Sequence, residues 1–99
     1  MAYTKVTGAL VGSISDLDLT NVGDIQLDSI TGDGDTNTSI TFSGSDVITI
    51  ATGGSGRLTI GDGALSPVTD NQIDLGTSSL EYKDGYLDGT LYADAVDLA

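Results

Sequence analysis

The order apolar–polar–apolar recurs along the chain in short three-residue units bounded by turn formers. The units are Leu17-Asp18-Leu19, Ile25-Gln26-Leu27, Ile40-Thr41-Phe42, Ile48-Thr49-Ile50, Leu58-Thr59-Ile60, Ile73-Asp74-Leu75, Leu80-Glu81-Tyr82 and Val96-Asp97-Leu98. Successive side chains of an extended strand face opposite ways, so each unit sends two apolar groups to one side and a polar group to the other. Each therefore predicts a strand, too short to be stable alone. The starts fall 8, 15, 8, 10, 15 and 7 residues apart through Leu80, close to the rhythm of small all-β domains. A helix is not predicted anywhere. Fourteen glycines, thirteen threonines and ten serines interrupt every 3.6-residue apolar stripe.

Between the units lie residues that tolerate positive φ or bond their own backbone. Gly32-Asp33-Gly34-Asp35-Thr36-Asn37, Ser43-Gly44-Ser45-Asp46, Gly53-Gly54-Ser55-Gly56, Gly61-Asp62-Gly63, Ser66-Pro67 and Asp70-Asn71 read as turns. The apolar-Thr-apolar units at Ile40, Ile48 and Leu58 form a weak internal repeat, which suggests stacked layers, as in a solenoid or an intertwined fibre. No composition shift marks a domain boundary. Residues 1–20 are less regular and are expected to be an N-terminal arm; residues 21–99 form one repetitive β module.

Composition sharpens this expectation. Hydrophobic residues make up 38% of 99, with four tyrosines and Phe42 as the aromatics, so a single copy has little material for a core and a thin stability margin. Small chains in that position recruit disulfides, metals or partner subunits. With no cysteine and no histidine, association with further copies is the main route left, with an oxygen-ligated cation as a supplement. The net charge of −12 argues against nucleic acid, whose phosphates need clustered Lys and Arg. It argues equally against an anionic membrane surface. Apolar runs are far too short to span a bilayer, and the first residues lack a secretory pattern. Synthesis in a cytoplasm is expected.

Candidate chemistry is sparse. Asp33, Asp35 and Asn37 place oxygen side chains at alternate positions, as at the opening of a calcium loop, but Thr38 stands where that loop needs glycine and Gly44 where it needs glutamate. They form a candidate calcium site or an ordinary turn. Without His or Cys the usual catalytic triads are excluded. Paired carboxylates for glycoside hydrolysis would need an aromatic-walled cleft that a chain without Trp does not supply. Gly53-Gly54-Ser55-Gly56-Arg57 lacks the Lys and hydroxyl ending of a phosphate loop. The expectation is a non-enzyme. Tyr82, Tyr86 and Tyr92 suit either a subunit contact or a stacking platform for a glycan.

The segment from Leu65 to Leu91 resembles a recurring stretch of tailed-bacteriophage fibre proteins, found ahead of their intramolecular chaperone domains. The matching residues are Pro67, Asn71, Asp74-Leu75-Gly76, Leu80, Tyr82-Lys83-Asp84, Tyr86-Leu87 and Gly89. Tyr82 stands where that family more often has Trp, and Gly85 where an apolar residue often precedes the second tyrosine. The resemblance implies a homotrimeric, elongated all-β fibre, β-prism or triple-β-helix in style, made in a host cytoplasm and carried on a virion as a tail fibre, head fibre or small decoration protein. The implied partners are its own copies, other virion proteins through the arm, and a host-surface glycan or receptor. Expected subunit contacts are Ile40, Phe42, Ile48, Ile50, Leu58, Ile60, Leu75, Tyr82 and Tyr86. The alternatives are a single-chain β-solenoid or sandwich that binds carbohydrate or a cation, and a subunit of a non-viral extracellular filament.

Overall fold

The computed structural model describes residues 16–98. Its regular structure is one antiparallel meander of β1 (Ser29–Thr31), β2 (Ser39–Gly44), β3 (Val47–Thr52), β4 (Ser55–Gly61) and β5 (Ala64–Pro67), hydrogen-bonded in chain order. Among the described residues there is no helix, so the expected all-β class holds. The chain is elongated, 66 × 29 × 25 Å with a radius of gyration of 19.7 Å, where a compact domain of this length has about 13 Å.

The turns follow from residue chemistry. Gly53 (φ 61°) and Gly54 (φ 78°) make the two-residue β3–β4 connection. Two consecutive positive φ angles match the right-handed twist of the flanking strands and suit glycine at both places. The longer β1–β2 connection is closed by Gly32 N–H donating to the Thr38 carbonyl (3.0 Å) and Thr38 N–H donating to that of Asp35 (3.1 Å). A Cβ on Gly32 would lie 2.8 Å from the Asp35 carbonyl oxygen, which is backbone and cannot swing aside. Gly32→Ala should therefore cost about 1–3 kcal/mol of overpacking strain. A thermal melt followed by far-UV circular dichroism is expected to show the midpoint falling by ~5–15 °C.

Three predicted strands form and five do not. Ile40–Phe42, Ile48–Ile50 and Leu58–Ile60 sit in β2, β3 and β4, whereas Leu17–Leu19, Ile25–Leu27, Ile73–Leu75, Leu80–Tyr82 and Val96–Leu98 are unpaired. The middle residue separates the two groups. It is Thr in every unit that pairs, and Asp, Gln or Glu in every unit that does not. A β-branched side chain fits a pleated surface, while Asp favours turns by bonding its own backbone. Ser66-Pro67, expected as a turn, instead ends β5. Proline is tolerated there because β5 is an edge strand and needs no donor on its outer side. Of the expected arm, residues 1–15 lie outside the described residues, and residues 16–20 are exposed and unpaired.

Candidate functional site

Strand register assembles the apolar positions on one side of the sheet. Ile30 lies opposite Ile40, which lies opposite Ile50, which lies opposite Leu58, which in turn faces Pro67. A second row runs Phe42, Ile48, Ile60 and Leu65. Two irregularities, between Phe42 and Gly44 and between Ile50 and Ala51, leave these rows intact. The result is nine apolar side chains in two parallel rows across five strands.

The opposite side carries a hydroxyl ladder. Ser29, Thr41, Thr49, Thr59 and Ser66 are successive cross-strand partners. Ser43 Oγ and Thr49 Oγ1 share a hydrogen bond of 2.7 Å, and the Thr59 hydroxyl donates to the Ser66 carbonyl at 3.3 Å. Adjacent β-branched threonines stabilise such ladders through methyl packing and hydroxyl bonding. Val68 completes the packing on this side against the bare backbone of Gly56, where a Cβ would meet both Thr49 Cγ2 and Val68 Cγ2 at 3.2 Å.

Among the described residues no second strand layer or helix covers the apolar side. No hydrophobic side chain is fully buried among the described residues. Ile48, Ile50 and Leu58 at the centre are half-buried, while Ile30 is 51% and Phe42 49% exposed. Three shallow grooves mark the same side: one beside Phe42, Ile48 and Ile60, one beside Ile30, Ile40 and Ile50, and one among Leu58, Leu65, Pro67, Ile73, Leu75 and Tyr82. The acids at their margins are Asp46, Asp62 and Asp74. The 10.0 kDa chain exposes 9432 Å², against about 5,200 Å² for a compact monomer of that mass.

Six of the nine expected contact residues, Ile40, Phe42, Ile48, Ile50, Leu58 and Ile60, are thus brought together on the sheet. Leu75 and Tyr82 reach the third groove from the segment after β5, and Tyr86, 89% exposed, joins neither. Within the fibre-like stretch, Gly76 (φ 84°) lets the chain turn so that the Tyr82 ring lies against its backbone. A Cβ there would be 3.4 Å from Tyr82 Cδ2. The turn is tied by Thr77 N–H donating to the Leu80 carbonyl and Leu80 N–H donating to Thr77 Oγ1. Sequence reasoning missed Ile30, Leu65 and Pro67 as members of the face. Ile30 sits alone between Ser29 and Thr31, so its only signal is being one apolar residue inside a β-compatible triplet.

Asp33, Asp35 and Asn37 are exposed in the β1–β2 connection. Asp35 Oδ2 accepts a 2.7 Å hydrogen bond from the Thr38 hydroxyl, which ties that carboxylate into the turn. Among the described residues no three His, Cys, Asp or Glu side chains cluster at metal-holding distance, and no helix is long and apolar enough to cross a membrane. What the sheet offers chemically is burial: an apolar face with Asp46, Asp62 and Asp74 at its margins. No protein-family model, curated protein or solved structure matches the chain.

Proposed function

We propose that this chain is a non-enzymatic structural protein that works by assembling with copies of itself, and that it serves in a bacteriophage fibre or virion appendage. The uncovered two-row apolar face carries this reading. A single-layer sheet must bury its apolar side against another layer, and no second layer occurs among the described residues. Fully burying an Ile, Leu or Phe side chain is worth roughly 1.5–3 kcal/mol, so the eight such residues of the two rows, three half-buried and five exposed, supply a driving force that further copies can collect. The edges are poorer docking sites. β1 has three residues and β5 ends in proline, devices that discourage strand addition from outside. Association therefore runs through the face.

A threefold arrangement suits this surface, since three sheets around an axis close their apolar sides into one core without leaving a free face. The fibre and virion setting rests on the Pro67 to Gly89 resemblance, the elongated shape and the acidic exterior. Sedimentation equilibrium of the purified chain is the direct test. The expected mass is three times the 10.0 kDa of one chain; a stable single chain at tens of micromolar would sink the proposal.

A further inference from the structure

Beyond the sheet, a second surface has the marks of an interaction site. Among the described residues no hydrogen bond is made from Glu81 to Leu98, side chain or backbone, and no strand forms there. The segment instead bends at regular intervals, at Lys83, at Asp88-Gly89 and at Asp94. Apolar side chains recur between the bends every five residues in two columns, Tyr82, Leu87, Tyr92 and Tyr86, Leu91, Val96. They are among the most exposed in the protein, from 65% at Val96 to 89% at Tyr86 and Tyr92.

We infer that residues 81–98 form a strap that associates with the same strap of other copies, like against like and in register, as a second interface that meets the sheet face at Tyr82. This deepens the self-assembly reading and rests on it. Three observations select the occupant. The six apolar side chains of the two columns are 65–89% exposed, so they stay bare whatever the sheet face covers. Length is the second: the contour of these eighteen residues reaches at most ~60 Å, while a five-strand face is only ~24 Å across. A partner's sheet would leave half the strap bare, and another strap covers all of it. Third, the five-residue recurrence puts the same apolar pair at each level only when copies run parallel and aligned. The bend acids Asp88 and Asp94 then turn outward to solvent.

The chain has no cysteine and only one trypsin site in the strap, Lys83, so both tests are clean. In the full chain, Thr90→Cys under mild oxidation is expected to give a covalently linked pair on a denaturing gel, and Ser45→Cys in the β2–β3 turn is not. Trypsin should cut the Lys83–Asp84 bond at least ten times more slowly in the assembly than in the assembled Leu87→Ser/Tyr92→Ser double variant. If sedimentation shows an assembly but Thr90→Cys stays unlinked, or Lys83 is cut as fast as in urea-unfolded chain, the strap inference is overturned while self-assembly stands. If Thr90→Cys crosslinks instead to a cysteine placed at Ser39, the strap lies on a partner's sheet and the like-with-like pairing is wrong. A single-chain mass removes both readings together.

Discussion

Ile50→Asp is expected to convert the assembled protein to single chains. Ile50 sits at the middle of the central strand, opposite Ile40 on one side and Leu58 on the other, and is half-buried before any partner arrives. A carboxylate there meets water in a lone chain but loses it when a second apolar face closes over the sheet. No cation lies within the two rows to pair with it. Leaving an uncompensated charge at such a site costs ~3–5 kcal/mol, and every copy in a symmetric assembly carries the same defect. With each ~1.4 kcal/mol worth tenfold in affinity, dissociation at micromolar concentration follows. Sedimentation velocity would read the change, with Ser43→Asp as the matched control. That residue is exposed on the hydroxyl side, so its mass should stay that of the parent. If Ile50→Asp kept the parent's mass, the apolar rows would not be the contact.

The pattern of alternation was enough to place β2, β3 and β4, because in those units the apolar positions and the middle threonine argue for the same structure. It overreached where they conflict. Ile73-Asp74-Leu75 and Val96-Asp97-Leu98 carry the alternation of a strand around a residue that prefers turns, and neither pairs within the chain. Counting apolar positions alone treats the two kinds of unit as equal. β1 and β5 were illegible for the opposite reason. Ser29-Ile30-Thr31 and Ala64-Leu65-Ser66-Pro67 have too little apolar content to stand out, and they become strands because the hairpin beside each offers an open edge in register. Tertiary pairing, which no local window contains, decides such segments. The candidate face was legible to the same extent: its six central members lie in the threonine-centred units, and its rim comes from the strands that only pairing reveals. The solenoid and sandwich alternatives foresaw a chain that covers its own apolar side. The described residues form one sheet, and their poverty in large side chains is the physical reason that no second layer occurs among them.

Assembly should also depend steeply on salt. Residues 16–98 hold all fifteen carboxylates against Arg57 and Lys83, and the whole chain carries −12. Bringing copies together thus opposes like charges, whatever their faces gain. Two such chains treated as point charges at a separation of 25 Å, the smallest dimension of the molecule, repel by ~10 kcal/mol at an ionic strength of 0.01 M and ~1 kcal/mol at 0.15 M. Spreading the charge over an elongated body lowers both figures, yet a quarter of the difference still amounts to more than tenfold in affinity. A dilution series followed by light scattering should therefore show association strengthening by at least ~30-fold between those two conditions. Burial of apolar surface without this repulsion would give a nearly flat response, and a weakening with salt would mean that ion pairs between copies hold the assembly, against the reading above. Divalent cations separate general screening from a built site. Magnesium and calcium at equal concentration should act alike if screening is the whole effect, because screening depends on valence and not on coordination preference. Magnesium demands near-octahedral geometry while calcium accepts the looser oxygen set that Asp33, Asp35 and Asn37 offer. A midpoint raised by calcium beyond the magnesium value, and lost in Asp33→Asn, would assign the β1–β2 turn a cation; equal midpoints leave Asp35 as the partner of Thr38 that the geometry shows.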